Sequence, residues 1–374
     1  MDPDSFEGAQ PSVPCRDQAE VLSREALPGS RPGSARPRAD AQNQRCDPTM
    51  RVVTQNVRGL SDRADGSNPK MEELVELMEA ARGGRRVQVA CLQETWIVGD
   101  EDFTIGTGER AMRVLHHGEA ARTCNRGRLG VAIVLSPEAQ EGHARAGGVK
   151  LVFGKRVIAV RLQTLDERGR TIRLFVACAY APTSAASEVE KAEFEHDLDA
   201  CHRECGEKEI FVLGADVNAC LGVRREGGGR DKVLGPWGEA HSNVAGRRLY
   251  EVCAANELCA ATSFFRKRRY ATWTHPHFAL NRGFQLDHFF VRQRDLRRVR
   301  DAGVRGCGLH SDHAMVVMDI CTSAKLAKPK SAPPSRIDRG LLRDPGMRSR
   351  FRAAVREGAK DLGRGGGRGG EGRG

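Results

Sequence analysis

The chain has 374 residues, room for one large domain or two ordinary ones, but a hydrophobic content of 39% and 42 glycines are the mark of a chain only partly folded. Its formal net charge is +11, yet residues 322–374 alone hold 14 Lys/Arg against 5 Asp/Glu, so most of the basicity lies in a tail that attracts polyanions without defining a site. No run approaches ~18 apolar residues and no apolar leader opens the chain, so neither a membrane span nor a secretory signal is expected, and none of the 12 cysteines forms a C-x-x-C pair, which argues against zinc. An intracellular, reducing compartment is expected.

Residues 1–49 lack apolar periodicity and read as disordered. "MRVVTQNVRG" then reads as a strand. "NPKMEELVELMEAARGG" reads as a helix, with Pro69 in its first turn and Met71, Leu74, Leu77, Met78 and Ala81 on one face. "VQVACLQET", "LGVAIVLSP", "KRVIAVRLQTL" and "TIRLFVACAYAP" follow as strands, the last two paired about "DERGR". Ser187 and Glu190 form a capping box for the helix "EVEKAEFEHDLDACHREC". The stretch "EIFVLGADVNA" is a short strand buried on both faces. A Gly-rich loop, a helix around "GRRLYEVCAANE" and the strands "LCAATSFF", "RYATWTHP", "QLDHFFVR" and "AMVVMDI" complete the order. About three helices are too few for a regular βαβ repeat, and two packed sheets with helices outside fit better. The folded region is read as 50–321, and 322–374 as a basic Gly/Arg-rich tail with room for one short helix.

Several strands end on side chains that are costly to bury. Asn56 ends the first, Glu94 the second and Tyr180 the strand before "AP". Asp216 and Asn218 end "EIFVLGADVNA"; at positions i and i+2 of a strand they leave the same side. Asp287 interrupts "QLDHFF", and Asp312 and His313 precede the last strand. Each has a plainer reading on its own: turn residues for Asn56, Asp216 and Asn218, a surface helix start for Glu94, a packed aromatic for Tyr180, a helix cap for "SDH". Gathered at one sheet edge, they make an oxygen-rich set suited to a hard divalent ion such as Mg²⁺. Breaking a phosphodiester needs an activated water, neutralisation of the phosphate oxygens and a stabilised leaving group, which carboxylates, amides, a phenol and an imidazole can supply. "RKRR" (Arg266, Lys267, Arg268 and Arg269), beside Tyr270 and Trp273, is either a solvated hairpin or a contact to a DNA backbone.

The ordered run "QNVRGL", "LQET", "YAPT", "GADVNA", "TWTHP", "QLDHFFV" and "SDHAMV" resembles the endonuclease/exonuclease/phosphatase superfamily, and within it the apurinic-like endonuclease domain of non-LTR retrotransposons. "VLGPWGEAHSNVAGRRLYEVCAANEL" and "SFFRKRRYATWTHP" are more similar still to the RTE-like clade and to the craniofacial development protein 2-like group. The resemblance implies an α/β fold, a four-layer DNase I-like sandwich of two mixed β-sheets flanked by helices, and Mg²⁺-dependent hydrolysis with Mn²⁺ as a substitute and no small-molecule cofactor. It implies Asn56 and Glu94 at the metal end, with Asp312 either a further metal ligand or a group behind the ligands, Tyr180 on phosphate, Asp216 on the attacking water beside Asn218, and Asp287 holding His313. The departures are Arg58 and Thr183, where apurinic endonucleases proper carry Asp and Asn, and Ala215, where a Gly is usual; the first two argue against dedicated abasic-site repair. The expected activity is nicking of DNA in the nucleus, with a reverse transcriptase as the partner in a parent element. A phosphatase or nucleotide phosphodiesterase of the same fold, or a catalytically silent nucleic-acid-binding protein, is the alternative.

Overall fold

The computed structural model describes residues 48–60, 68–80, 85–119, 129–224, 232–274, 283–306 and 308–323, with a few more between 344 and 353. The segment read as disordered and the Gly/Arg tail lie almost wholly outside the described residues. In chain order the strands are β1 (Thr49–Asn56), β2 (Val89–Gln93), β3 (Asp102–Ile105), β4 (Met112–His117), β5 (Val131–Leu135), β6 (Lys150–Phe153), β7 (Val157–Leu165) and β8 (Thr171–Tyr180). They continue with β9 (Ile210–Asp216), β10 (Leu258–Ala260), β11 (Trp273–Thr274), β12 (Gly283–Phe284), β13 (Asp287–Arg292), β14 (Val299–Arg305) and β15 (Met315–Cys321). The α-helices are α1 (Pro69–Glu79), α2 (Pro137–Arg145), α3 (Glu188–Glu204) and α4 (Val244–Ala255).

One sheet runs β14-β15-β1-β2-β5-β4-β3 and the other β10-β13-β9-β8-β7-β6. Only the β1–β2 and β8–β9 pairs of these sheets are parallel. Both sheets are therefore mixed, as expected. Their facing sides share one core, to which Val52, Ile133, Val176, Val212, Phe289 and Met318 contribute. The outer face of the first sheet packs Val53, Ala90 and Leu92 against Leu74, Leu77 and Met78 of α1. The outer face of the second packs Phe211 and Leu213 against Phe194 and Leu198 of α3 and Cys253 of α4. Helix, sheet, sheet, helices: these are the four layers.

Each helix start carries a side-chain cap. Asn68, Ser136, Ser187 and Asn243 accept N–H groups of Met71, Ala139, Glu190 and Gly246. The expected count of three helices is corrected to four among the described residues, because α2 was missed. Two expected strands also shrink. "LCAATSFF" is a strand only as far as Ala260 before a 3₁₀ turn, and of "RYATWTHP" only Trp273–Thr274 pair, with its last two residues outside the described set. Among the described residues no helix is long and apolar enough to cross a membrane.

Candidate active site

Strand alternation decides what reaches the gap between the sheets. Val52 of β1 and Ile210 and Val212 of β9 lie in the shared core, so Asn56 and Asp216, four or six positions on, sit on the same inner faces. Phe211, Leu213 and Ala215 belong to the opposite face, toward α3 and α4. The sheets approach closely just below Asp216. A Cβ on Gly214 would lie 3.0 Å from the Cβ atoms of both Cys91 and Thr54. In register, Asp216 has Tyr180 on one side and Asp287 on the other.

Asn56 ties the sheets together at this end. Its Nδ2 donates to Asp216 Oδ2 at 2.9 Å and to Glu94 Oε1 at 2.8 Å. The Tyr180 hydroxyl donates to the same Glu94 oxygen at 2.6 Å. Glu94 stands one residue past β2 with φ +52°, where the N–H of Gly59 donates to its carbonyl. On the far side His313 Nδ1 lies 2.8 Å from Asp287 Oδ2. Ligating atoms of Asp216, Asp287 and His313 all fall within 4.8 Å of one another.

Three residues that sequence reasoning passed over hold this set in place. Thr272 Oγ1 accepts the N–H groups of Leu286 and Asp287, and its carbonyl accepts from Ala314 N–H at 2.6 Å, so it joins Asp287 to His313. Gln55 Nε2 donates to the carbonyls of Leu309 and His313, and its Oε1 accepts from Leu309 N–H. Ser311 Oγ donates to the Asn56 carbonyl at 2.7 Å and accepts from His313 N–H. Ser311 lies inside "SDH" and could have been found there. Thr272 carried no signal, since a threonine beside a tryptophan reads as an ordinary strand residue.

The electrostatics separate the titratable groups. Burial, followed by repulsion from Asp287, pushes the Asp216 carboxyl up to about 7, against the pull of His313 and the hydrogen bonds from Asn56 and the Asn218 N–H. Burial works against the His313 imidazolium, but the charge and hydrogen bond of Asp287 outweigh it and hold the group at about 9. Burial and the neighbouring Glu94 carboxylate push the Tyr180 phenol upward, so it remains a hydrogen-bond donor.

The structure thus brings Asn56, Glu94, Tyr180, Asp216, Asp287 and His313 together. Asn218 corrects the strand-tip argument: β9 ends at Asp216, and Asn218 takes φ +46° in a turn. Its N–H donates to Asp216 Oδ1 at 3.0 Å and its side-chain amide to the Ala181 carbonyl at 2.9 Å. The turn and the site are one feature. Asp312 is exposed at the rim, where Oδ2 accepts from Arg58 Nη1 at 2.7 Å and Trp273 Nε1 at 3.1 Å. The Trp273 ring centre is 6.4 Å from that of His313. The basic run is not one surface. Lys267 pairs with Asp301, Arg266 lies over the Trp237 ring, Arg269 donates to the Ala271 carbonyl, and Arg268 is exposed.

The residues fit a hard divalent cation. Glu94 and Asp216 offer carboxylate oxygens steered by the Asn56 Nδ2 between them, no cysteine among the described residues joins the set, and Asp287 Oδ1 is buried without a hydrogen-bond partner.

Craniofacial development protein 2 of Bos taurus is 31% identical over 210 residues, 52% of this chain and 33% of that protein. The protein of the same name from Tragulus javanicus is 30% identical over 204 residues, 51% of this chain and 34% of that one. The chain therefore spans about a third of the length of these curated relatives. An AP endonuclease from Leishmania major superposes with a TM-score of 0.52 at 18% identity, over 73% of this chain and 88% of that one, a likeness of fold. Residues 53–313, from the middle of β1 to the histidine of the cleft, match the Endonuclease/Exonuclease/phosphatase family, and the chain belongs to it.

Proposed function

We propose that the chain is a divalent-metal-dependent phosphodiesterase that nicks DNA. One observation carries this reading: a single amide, Asn56, holds Glu94 and Asp216 together from opposite sheets while Asp287 holds His313 beside them. Glu94, oriented by the Asn56 amide, would hold the cation, whose contribution would be to neutralise phosphate charge. Asp216, with its carboxyl at about 7, is poised to take a proton from the attacking water at neutral pH. Asn56 and the Asn218 N–H fix that carboxylate's direction. With Nδ1 taken by Asp287, His313 presents Nε2 to the phosphate and, held at about 9, is an imidazolium that stabilises the added negative charge. Tyr180 donates a hydrogen bond at the Glu94 end.

DNA as the substrate, and an origin in an RTE-like element with a reverse transcriptase as partner and the nucleus as place of action, rest on the ordered motifs of the sequence. The test is incubation of the purified full chain with supercoiled plasmid, with Mg²⁺, with Mn²⁺ and with excess EDTA. Open-circular product that requires a metal is the expected result. Release of phosphate from monoesters with the plasmid left intact would replace this reading by the phosphatase one.

A further inference from the structure

Arg58 lies two residues beyond Asn56 and is placed with care. Its φ is +46°, a left-handed conformation uncommon outside glycine, and its N–H donates to Asn56 Oδ1 at 3.1 Å. Lys70, in the first turn of α1, donates to the carbonyls of Val57 and Arg58. The backbone under Arg58 is thereby pinned to the same amide that joins Glu94 to Asp216. From this turn the side chain, 53% exposed, reaches across the rim to Asp312. One oxygen of Asp312 is engaged: Oδ2 takes both the guanidinium and the Trp273 indole N–H, while Oδ1 lies 3.5 Å from the Ser311 hydroxyl.

A cation on Asp312 Oδ2 would have to displace the guanidinium and the indole N–H already there. A guanidinium held in a solvent-facing pair is, by contrast, released at small cost. Phosphate is the natural acceptor, because the planar fork of Arg matches its oxygens. We propose that Arg58 is a phosphate-binding residue at the mouth of the cleft and that Asp312 is its holder, not a metal ligand. In the free protein Asp312 parks the guanidinium between the β1 turn and Trp273. A nucleic-acid strand entering the cleft takes it onto the phosphate beside the one to be cut. The inference rests on the phosphodiesterase reading and names what that site grips next to the scissile bond.

Two measurements test it, neither needing turnover. The first is the salt dependence of binding of a labelled DNA duplex to the full chain in EDTA. Each phosphate neutralised contributes about 0.9 to the slope of log K against log salt. Arg58→Ala should lower the slope by about one, whereas Arg58→Lys, which keeps the charge and loses the fork, should keep the slope at reduced affinity. The second is calorimetric titration of Mn²⁺ into the protein alone. Asp312→Asn should leave Mn²⁺ affinity within about threefold of the wild type, a small shift on the tenfold-per-1.4 kcal/mol scale of binding constants, and Glu94→Gln should weaken it beyond that. An unchanged slope in Arg58→Ala, no duplex binding by the wild type, or a loss of Mn²⁺ affinity in Asp312→Asn equal to that in Glu94→Gln each overturns the proposal. A wild type that binds duplex with the expected slopes but never nicks it with metal overturns the phosphodiesterase reading and leaves the grip of Arg58 standing.

Discussion

Asn56, the last residue of β1, donates its side-chain amide to Asp216, the last residue of β9, across the gap between the two sheets at 2.9 Å. That hydrogen bond favours the ionised carboxylate, so removing it should raise the pKa of Asp216 further. Asn56→Ala is expected to move the acid limb of the pH–rate profile to higher pH and to slow cleavage at neutral pH by at least tenfold. A slower enzyme with an unmoved acid limb would show that the amide serves only the Glu94 side.

The wild-type profile itself should be a bell. Asp216 must be ionised to act as a base, so the rate rises with pH through about 7. His313 must be protonated to stabilise charge, so the rate falls as pH passes about 9. Single-turnover nicking between pH 5 and 10 reads both limbs, whose midpoints are properties of the coupled set. A rate still climbing above pH 10 would remove the imidazolium from the mechanism.

Asp216→Asn keeps shape and removes the base, which should cost about two to four orders of magnitude in cleavage. His313→Ala should cost a similar factor. The double variant should lose far less than the product of the two, as groups serving one transition state are not additive. Single-turnover rates for the three variants decide this. Strict multiplication would mean that the two side chains act in separate steps.

Excess EDTA should abolish nicking, and added Mg²⁺ should restore it. Glu94→Gln is expected to shift the Mg²⁺ titration to higher concentration more than any other single change, because it removes a charge at constant shape. If its titration overlays that of the wild type, Glu94 does not hold the ion.

Gly214→Ala probes the fit of the two sheets. The new methyl would stand 3.0 Å from Cys91 Cβ and Thr54 Cβ and 3.1 Å from Phe289 Cε1. Overpacking of this kind costs about 1–3 kcal/mol. A fall in unfolding free energy within that range, measured in denaturant, is expected, and unchanged stability would show that the gap can open freely.

The site was more legible in the sequence than the periphery of the fold. A carboxylate at the end of an apolar run has few structural uses, so Asp216 and Asp287 stood out without any contact information. Helix α2 did not, because only Ala139, Gly142 and His143 of its nine residues are buried and no apolar stripe results. Its Ser136-Pro137 start was the remaining clue. Strand β14 was hidden for another reason: "VRDAGVR" sets adjacent charges beside small residues, with no two-residue alternation, and is a strand through its pairing with β15. Ala215 was noted as a departure from the usual Gly, but the position with no room is Gly214. Ala215 faces α3 and α4, where a methyl packs. Asn218 was misplaced because alternation was carried two residues past the end of β9.

Strand β1 lies between β2, its parallel neighbour, and β15, the last strand of the same sheet. While the chain is being synthesised, β1 therefore has a partner strand along one edge only until some 260 further residues have emerged, and His313 arrives just before that second partner. A product ending between β13 and His313 holds Glu94, Asp216 and Asp287 but lacks the imidazole that Asp287 holds.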